Sequence, residues 1–246
     1  MTTRRYLLVD DNVAFAENLA EILESDGAQV VCASGAPAAL EIVRAEPPFD
    51  ALVTDMRMPV MSGARLVHEI RRVDPGLPAI VVTAYTQEAD MAAARAEGLL
   101  AVLPKPVPVD RLVELLAAAR RDGLVAVVED DASLSDNLSE VLRDDGFSVV
   151  TAASVVDTER LGGVKPFAGV VDVRVPGGPD GAALLSLARS FPFLPLLVMT
   201  AFHESVSQLG SAPLAGLAPD ALFFKPFDPA RLLTAVERLW RAKVNS

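Results

Sequence analysis

Short apolar runs recur along the chain, and between them apolar positions return every three or four residues. In the first half the runs fall at residues 6–9, 29–32, 51–54, 79–83 and 100–103. Each has the length and near-continuous apolarity of a strand buried on both sides. The intervening stretches have helical period: over 13–24, Phe15, Leu19, Ile22 and Leu23 fall on one face. Gly27 stands just past that helix, where a left-handed cap residue is expected. Strands of this kind alternating with helices predict a parallel sheet covered on both faces.

The second half repeats the first. Residues 128–150 align with 9–31 without a gap, pairing Asp11 with Asp130, Asn18 with Asn137, Leu23 with Leu142 and Gly27 with Gly146. Further on, Asp55 pairs with Asp172, Thr83 with Thr200 and Lys105 with Lys225. Asp11 and Asp130 are 119 residues apart, far beyond any solenoid repeat, so the chain is a duplicated domain. Its strand candidates lie at 125–128, 147–151, 169–171, 196–199 and 221–224. The expected domains are residues 1–121 and 122–246. A helix over 108–121 runs through Asp122-Gly123 to a strand beginning at Leu124, with no Pro- or Ser-rich linker, which predicts a stiff connection.

Composition agrees with two packed domains: 51% of residues are apolar and 22% charged, which disfavours disorder. No apolar run approaches the ~18–20 residues that cross a bilayer, and the N-terminus lacks the features of a signal peptide. Cys32, the single cysteine, is expected to be a buried, inert strand residue. A soluble, cytoplasmic protein follows, without membrane association. Net charge is −11, with 10 basic against 17 acidic residues in 1–119 and 12 against 16 in 120–246. Neither half has the basic surplus that sequence-independent nucleic-acid binding requires.

The polar residues that interrupt the pattern fall at the carboxyl ends of predicted strands: Asp10 and Asp11, Asp55, Thr83 and Lys105. That edge of an open α/β sheet is where ligands bind. Three carboxylates meeting there resist ionisation unless a cation neutralises them, and an oxygen-only set without His or Cys favours Mg²⁺. A lysine and a hydroxyl facing the same point suit a phosphoryl group. An aspartate can be the nucleophile that accepts it. Taken singly, an Asp after a strand reads as a helix cap and a Lys-Pro as a turn. Five such positions in order, twice in one chain, do not.

On these residues both halves resemble receiver domains of two-component response regulators. The first half carries Asp55-Met56-Arg57-Met58-Pro59, then Gly63, Thr83-Ala84 and Lys105-Pro106. The resemblance implies two doubly wound, flavodoxin-like (βα)5 domains, each a five-stranded parallel sheet of order 2-1-3-4-5 with helices on both faces. It implies that Asp55 accepts a phosphoryl group from a sensor histidine kinase or a histidine phosphotransfer protein. Asp10, Asp11, Asp55 and the Arg57 backbone carbonyl would hold Mg²⁺, while Thr83 and Lys105 would engage the phosphoryl oxygens. In the second half the corresponding residues are Glu129, Asp130, Asp172 as acceptor, the Arg174 carbonyl, Thr200 and Lys225. It further implies cis peptides at Lys105-Pro106 and Lys225-Pro226. Such a protein would act on a downstream protein target as a switch or relay intermediate, could form a homodimer through its first domain, and would catalyse only its own phosphorylation and dephosphorylation.

Three departures stand out. The family's aromatic switch position, three before the lysine, holds Val102 and Leu222. Gly181 lies nine residues after Asp172, against eight from Asp55 to Gly63. The segment 203–219 contains Gly210, Pro213, Gly216 and Pro219, which predicts a broken or shortened fourth helix, whereas 88–97 reads as one regular helix. That contrast makes the first half the expected docking face. Among lesser features, His68 reads as a surface or boundary residue, and His203 could border the second site. Tyr85 and Phe202 either shield the sites or pack ordinarily. Arg57 and Arg174 either tune phosphoryl lifetime or lie solvated, and Trp240 reads as core or an interface anchor. Two other readings compete: the receiver portion of a larger hybrid kinase or regulator, and a flavodoxin-like nucleotide-binding protein. The second is disfavoured because no Gly-rich loop follows either first strand and Asp10-Asp11 would repel a phosphate lacking a metal.

Overall fold

The computed structural model describes residues 3–46, 48–84, 97–201 and 219–245. The readings of Tyr85, Phe202, His203, 88–96 and 203–218 lie outside the described residues. The chain divides into two compact units, Met1–Asp122 with Arg143–Ser148, and Gly123–Leu142 with Val149–Ser246.

The first unit contains β1 (Arg5–Val9), α1 (Val13–Ser25), β2 (Gln29–Ala33), α2 (Ala36–Ala45), β3 (Ala51–Asp55), α3 (Gly63–Arg71), β4 (Ala79–Thr83), β5 (Ala101–Pro104) and α4 (Val109–Ala118). Its sheet has the order β2-β1-β3-β4-β5, and all its pairings are parallel. The period of two along each strand splits the core. Leu7, Val9, Leu52, Ala79 and Val81 belong to one cluster with Leu66, Val67 and Ile70 of α3. Tyr6, Leu8, Val53, Ile80 and Val82 belong to another with Leu19 and Leu23 of α1 and Leu112, Leu115 and Leu116 of α4. Two clusters on opposite faces are the doubly wound arrangement that the apolar strands require.

Local chemistry sets the helix ends. The Asn12 side chain accepts the Phe15 N–H at 3.1 Å and caps α1. Past its other end, Gly27 at φ 91° lets its N–H reach the Glu24 carbonyl and that of Ala28 the Leu23 carbonyl, closing the helix. The burial stripe of α1 is Ala16, Leu19, Ala20 and Leu23; Ile22, expected on it, is 43% exposed and Phe15 half-buried. Cys32 is likewise exposed rather than buried, because β2 is an edge strand of the sheet. Partial burial of the sulfur, and then nearby Glu24 and Glu17, push its thiol up, which disfavours the thiolate. The helix expected over 108–121 stops at Ala118. Beyond it Arg121 donates to the Phe49 carbonyl at 2.7 Å and to Asp74 at 2.6 Å, and the Asp122 N–H to the Gly76 carbonyl at 2.8 Å. These bonds replace the helical ladder.

The second unit holds β6 (Leu124–Val128), most of α5 (Ala132–Asp144) and of β7 (Ser148–Ala152), α6 (Val155–Arg160), β8 (Ala168–Asp172), α7 (Ala182–Ser190), β9 (Leu196–Thr200), β10 (Ala221–Phe224) and α8 (Pro229–Val244). The sheet order β7-β6-β8-β9-β10 repeats that of the first. Leu124, Ala126, Val128, Val171 and Val198 pack with Leu184 and Leu187 of α7. Val125, Val127, Leu138, Leu142, Leu232 and Val236 are buried too. Trp240 on α8 meets Phe167 edge-on at 5.2 Å, a packing role within this unit. No helix among the described residues is long and apolar enough to cross a membrane.

Candidate functional site

In a parallel sheet all strands run the same way, so their last residues share one edge. In the first unit that edge gathers Asp10 just past β1, Asp55 at the end of β3, Thr83 at the end of β4 and Lys105 just past β5. Asp10, Asp55 and Thr83 are buried, whereas Asp11 is exposed. The Lys105 ammonium bridges the two buried carboxylates, lying 2.7 Å from Asp10 Oδ2 and 2.7 Å from Asp55 Oδ1. The other oxygens are used as well: Asp10 Oδ1 accepts the Asn12 N–H at 2.9 Å and Asp55 Oδ2 the Arg57 N–H at 2.9 Å. Burial pulls the Lys105 ammonium down, but its bonds and attraction to Asp10 and Asp55 prevail and hold it above the ordinary lysine value. It also sits 4.5 Å from the centre of the Phe15 ring, which gives half-buried Phe15 on α1 a contact at the pocket.

The loop leaving Asp55 is shaped by Gly63. A side chain there would place Cβ 2.2 Å from the Asp55 carbonyl oxygen, and the Gly63 N–H donates to the Met56 carbonyl at 2.9 Å. Only glycine permits that approach. Lys105-Pro106 and Lys225-Pro226 are both cis, as the motif implied.

The second unit rebuilds the same constellation with one changed residue. Lys225 bonds Glu129 Oε2 at 2.6 Å and also pairs with Asp172 Oδ2. Asp172 Oδ1 accepts the Arg174 N–H at 3.0 Å, and Glu129 Oε1 the Asp131 N–H at 3.2 Å. Glu129, Asp172 and Thr200 are buried and Asp130 is exposed. Burial pushes the Glu129 carboxyl above its ordinary value, against the opposing pull of Lys225. Lys225, like Lys105, is lowered by burial and raised further by its two carboxylates, with a net upward shift.

The two pockets differ in how well they gather oxygens. Glu129, Asp130 and Asp172 bring carboxylate oxygens within 4.8 Å of one another, a set that suits a hard divalent cation. Among the described residues, Asp10, Asp11 and Asp55 do not form such a group. Val102 and Leu222 are half-buried and pack on the cores of their units. His68 is partly exposed on α3, with Nδ1 3.3 Å from Glu97, consistent with a boundary residue. One feature of the site has almost no signature in the sequence. Asp180 holds the Arg174 side chain by a 2.7 Å bond. Its only trace in the sequence is an acidic residue at the end of the longer loop.

The response regulator receiver domain family matches residues 6–117. Over 240 residues the chain is 59% identical to a response regulator receiver protein of Anaeromyxobacter sp. (strain Fw109-5), covering 98% of this chain and 97% of that one. It is 35% identical over 123 residues to the transcriptional regulatory protein GlrR of Escherichia coli (strain K12), covering 50% of this chain and 28% of that protein. Among solved structures it resembles a response regulator receiver protein of Pseudomonas putida, at 31% identity and a TM-score of 0.45, covering 48% of this chain and 97% of that one.

Proposed function

The chain belongs to the response regulator receiver family of two-component signalling, and from that premise we propose that both its halves, residues 1–121 and 122–246, are phosphoryl-accepting receivers. One observation carries this reading. In each unit a lysine past the fifth strand joins a first-strand carboxylate to the aspartate that ends the third strand. Asp55 and Asp172 are the acceptors. A carboxylate oxygen attacks phosphorus, and the bond from phosphorus to the donor histidine nitrogen breaks as the acyl phosphate forms. The donor is a sensor histidine kinase or a histidine phosphotransfer protein.

Each residue has a task in that step. Lys105 and Lys225, already protonated in the resting pocket, supply the charge that meets the incoming phosphoryl oxygens. Thr83 and Thr200, buried at the ends of β4 and β9, offer the hydroxyl. Asp10, Asp11, Asp55 and the Arg57 carbonyl would hold Mg²⁺ in the first pocket, and Glu129, Asp130, Asp172 and the Arg174 carbonyl in the second. The oxygen-only donor set fits that ion, most closely in the second pocket. When bound, the ion would offset the charge that builds as a phosphoryl dianion approaches the carboxylates. The output is a phosphorylation-dependent change in binding to a downstream protein in the cytoplasm, with Val102 and Leu222 replacing an aromatic switch.

The test is a phosphoryl count. With acetyl phosphate and Mg²⁺, intact mass should show two phosphoryl groups on the wild type, one on Asp55→Asn, one on Asp172→Asn and none on the double variant. A single group on the wild type would overturn dual acceptance.

A further inference from the structure

We propose that Asp180 is a positioning residue that holds the Arg174 guanidinium in reserve beside Asp172 and releases it to a phosphoryl group. This rests on Asp172 being the acceptor.

Arg174 is rooted at the pocket, because its backbone N–H donates to Asp172 Oδ1 at 3.0 Å. Its side chain reaches forward instead, where Nε donates to Asp180 Oδ2 at 2.7 Å. The loop that carries Asp180 is tied down at both ends. The Gly181 N–H donates to the Val173 carbonyl at 2.7 Å and the Val155 N–H to the Pro176 carbonyl at 2.9 Å. The first of these repeats the bond from Gly63 to Met56, so the extra residue of the second half is absorbed between Arg174 and Gly181. Asp180 therefore occupies a fixed place.

What precedes each glycine also differs. Ser62 precedes Gly63, and its hydroxyl accepts the Arg65 N–H at 3.3 Å, capping α3. Asp180 precedes Gly181, and α7 begins without a side-chain cap. Asp180 stands one residue ahead of the cap position, Gly181, and its carboxylate is engaged with Arg174. A half-exposed ion pair is a weak hold. A phosphoryl dianion on Asp172 offers a guanidinium two parallel charge-assisted bonds. The exchange of Arg174 from Asp180 to the phosphoryl group is thus downhill, and Asp180 sets its cost.

Beryllofluoride, a phosphoryl mimic, reads this without turnover. In an Asp55→Asn background with Mg²⁺, fluorine NMR follows binding at the second pocket alone. Asp180→Asn should lower the half-saturating concentration roughly fivefold, the upper end of what releasing one exposed pair yields. Asp180→Glu should stay at the parent value. Adding Arg174→Ala to Asp180→Asn should erase the gain. A gain that survives the loss of Arg174 would mean simple loosening of the loop and overturn the proposal. Unchanged affinity in Asp180→Asn, with saturable binding in the parent, would overturn it while leaving Asp172 as acceptor. If the parent binds no more than an Asp172→Asn control, the acceptor reading falls and this one with it.

Discussion

Replacing Lys225 with methionine would leave Glu129 and Asp172 buried and facing each other without their cation. Removing one partner of a buried pair costs about 3 kcal/mol, because the remaining charge is desolvated. The pH dependence has a definite sign. The Lys225 value is raised on folding, so its contribution is complete below the ordinary lysine value of 10.5 and is lost as pH climbs through the higher folded value. The Glu129 value is raised too, so folding gains from its protonated form in acid and loses that gain as pH rises. Without Lys225 its downward pull on Glu129 is lost, leaving only that of the Asp131 N–H, and the Glu129 value rises further. The deficit of Lys225→Met should therefore be largest near pH 7 and narrow towards pH 5, read as urea midpoints in chelator. A constant deficit across that range would count against the lysine as the counter-charge. Added Mg²⁺ should rescue the variant more than the wild type, since a ligand stabilises the folded state by binding it.

Among the elements, the strands were legible because their signal is dense: five apolar runs per half, four of them leading to a polar residue that the topology then carries to one edge. Helix details were less so. Ile22 is apolar and close to the α1 stripe, but the covering elements leave it exposed, which periodicity alone does not encode. Cys32 has apolar neighbours in sequence, yet edge position decides its exposure. The end of α4 is set by Arg121 and its distant partners Phe49 and Asp74, contacts that no local pattern announces. The residues that gather at the strand ends were almost all legible in the sequence, since motif order maps onto strand ends; the Arg174–Asp180 pair was not, because it depends on how a longer loop closes. That loop can be tested in the first unit, where it is shorter. Gly63→Ala would press Cβ to 2.2 Å from the Asp55 carbonyl oxygen, and the backbone must yield. A cost of about 2 kcal/mol is expected, as for other overpacked sites. Phosphorylation of Asp55 should slow, with Asp172 unaffected, as judged by intact-mass time courses in the two single acceptor backgrounds. Equal slowing at both acceptors would point to a general loss of folding instead.

At the scale of the whole molecule, duplication has kept the sheet and the pocket while letting one covering layer diverge. In the first unit α2 runs for 10 residues; in the second, α6 has 6 and gives way to a 3-10 turn over Leu161–Gly163. A helix so short closes few of its own i to i−4 bonds, and most of the cost of nucleating it must be met by packing. It is pinned at a small set of side chains: the Ser154 hydroxyl accepts the Asp157 N–H at 3.1 Å, the Thr158 hydroxyl donates to the Ser154 carbonyl at 2.9 Å, and Val155 and Leu161 pack on the core. Gly162 and Gly163 are exposed, and a Cβ added at either would meet nothing within 4 Å, so they add backbone freedom without contacts. The same segment begins at Val155, whose N–H ties it to Pro176 in the loop that follows Asp172. Opening of α6 should therefore loosen that loop, and the layer nearest the second pocket should be the less stable of the two. Amide exchange at neutral pH should be roughly tenfold faster over 155–163 than over 36–45, as expected for a segment that opens locally rather than with its domain. Beryllofluoride with Mg²⁺ should slow exchange over 155–163 in the wild type and leave it unchanged in Asp172→Asn. Equal protection of the two segments without ligand would mean that the shorter helix is held as firmly as the longer one, and that the duplicated layers have not diverged in stability.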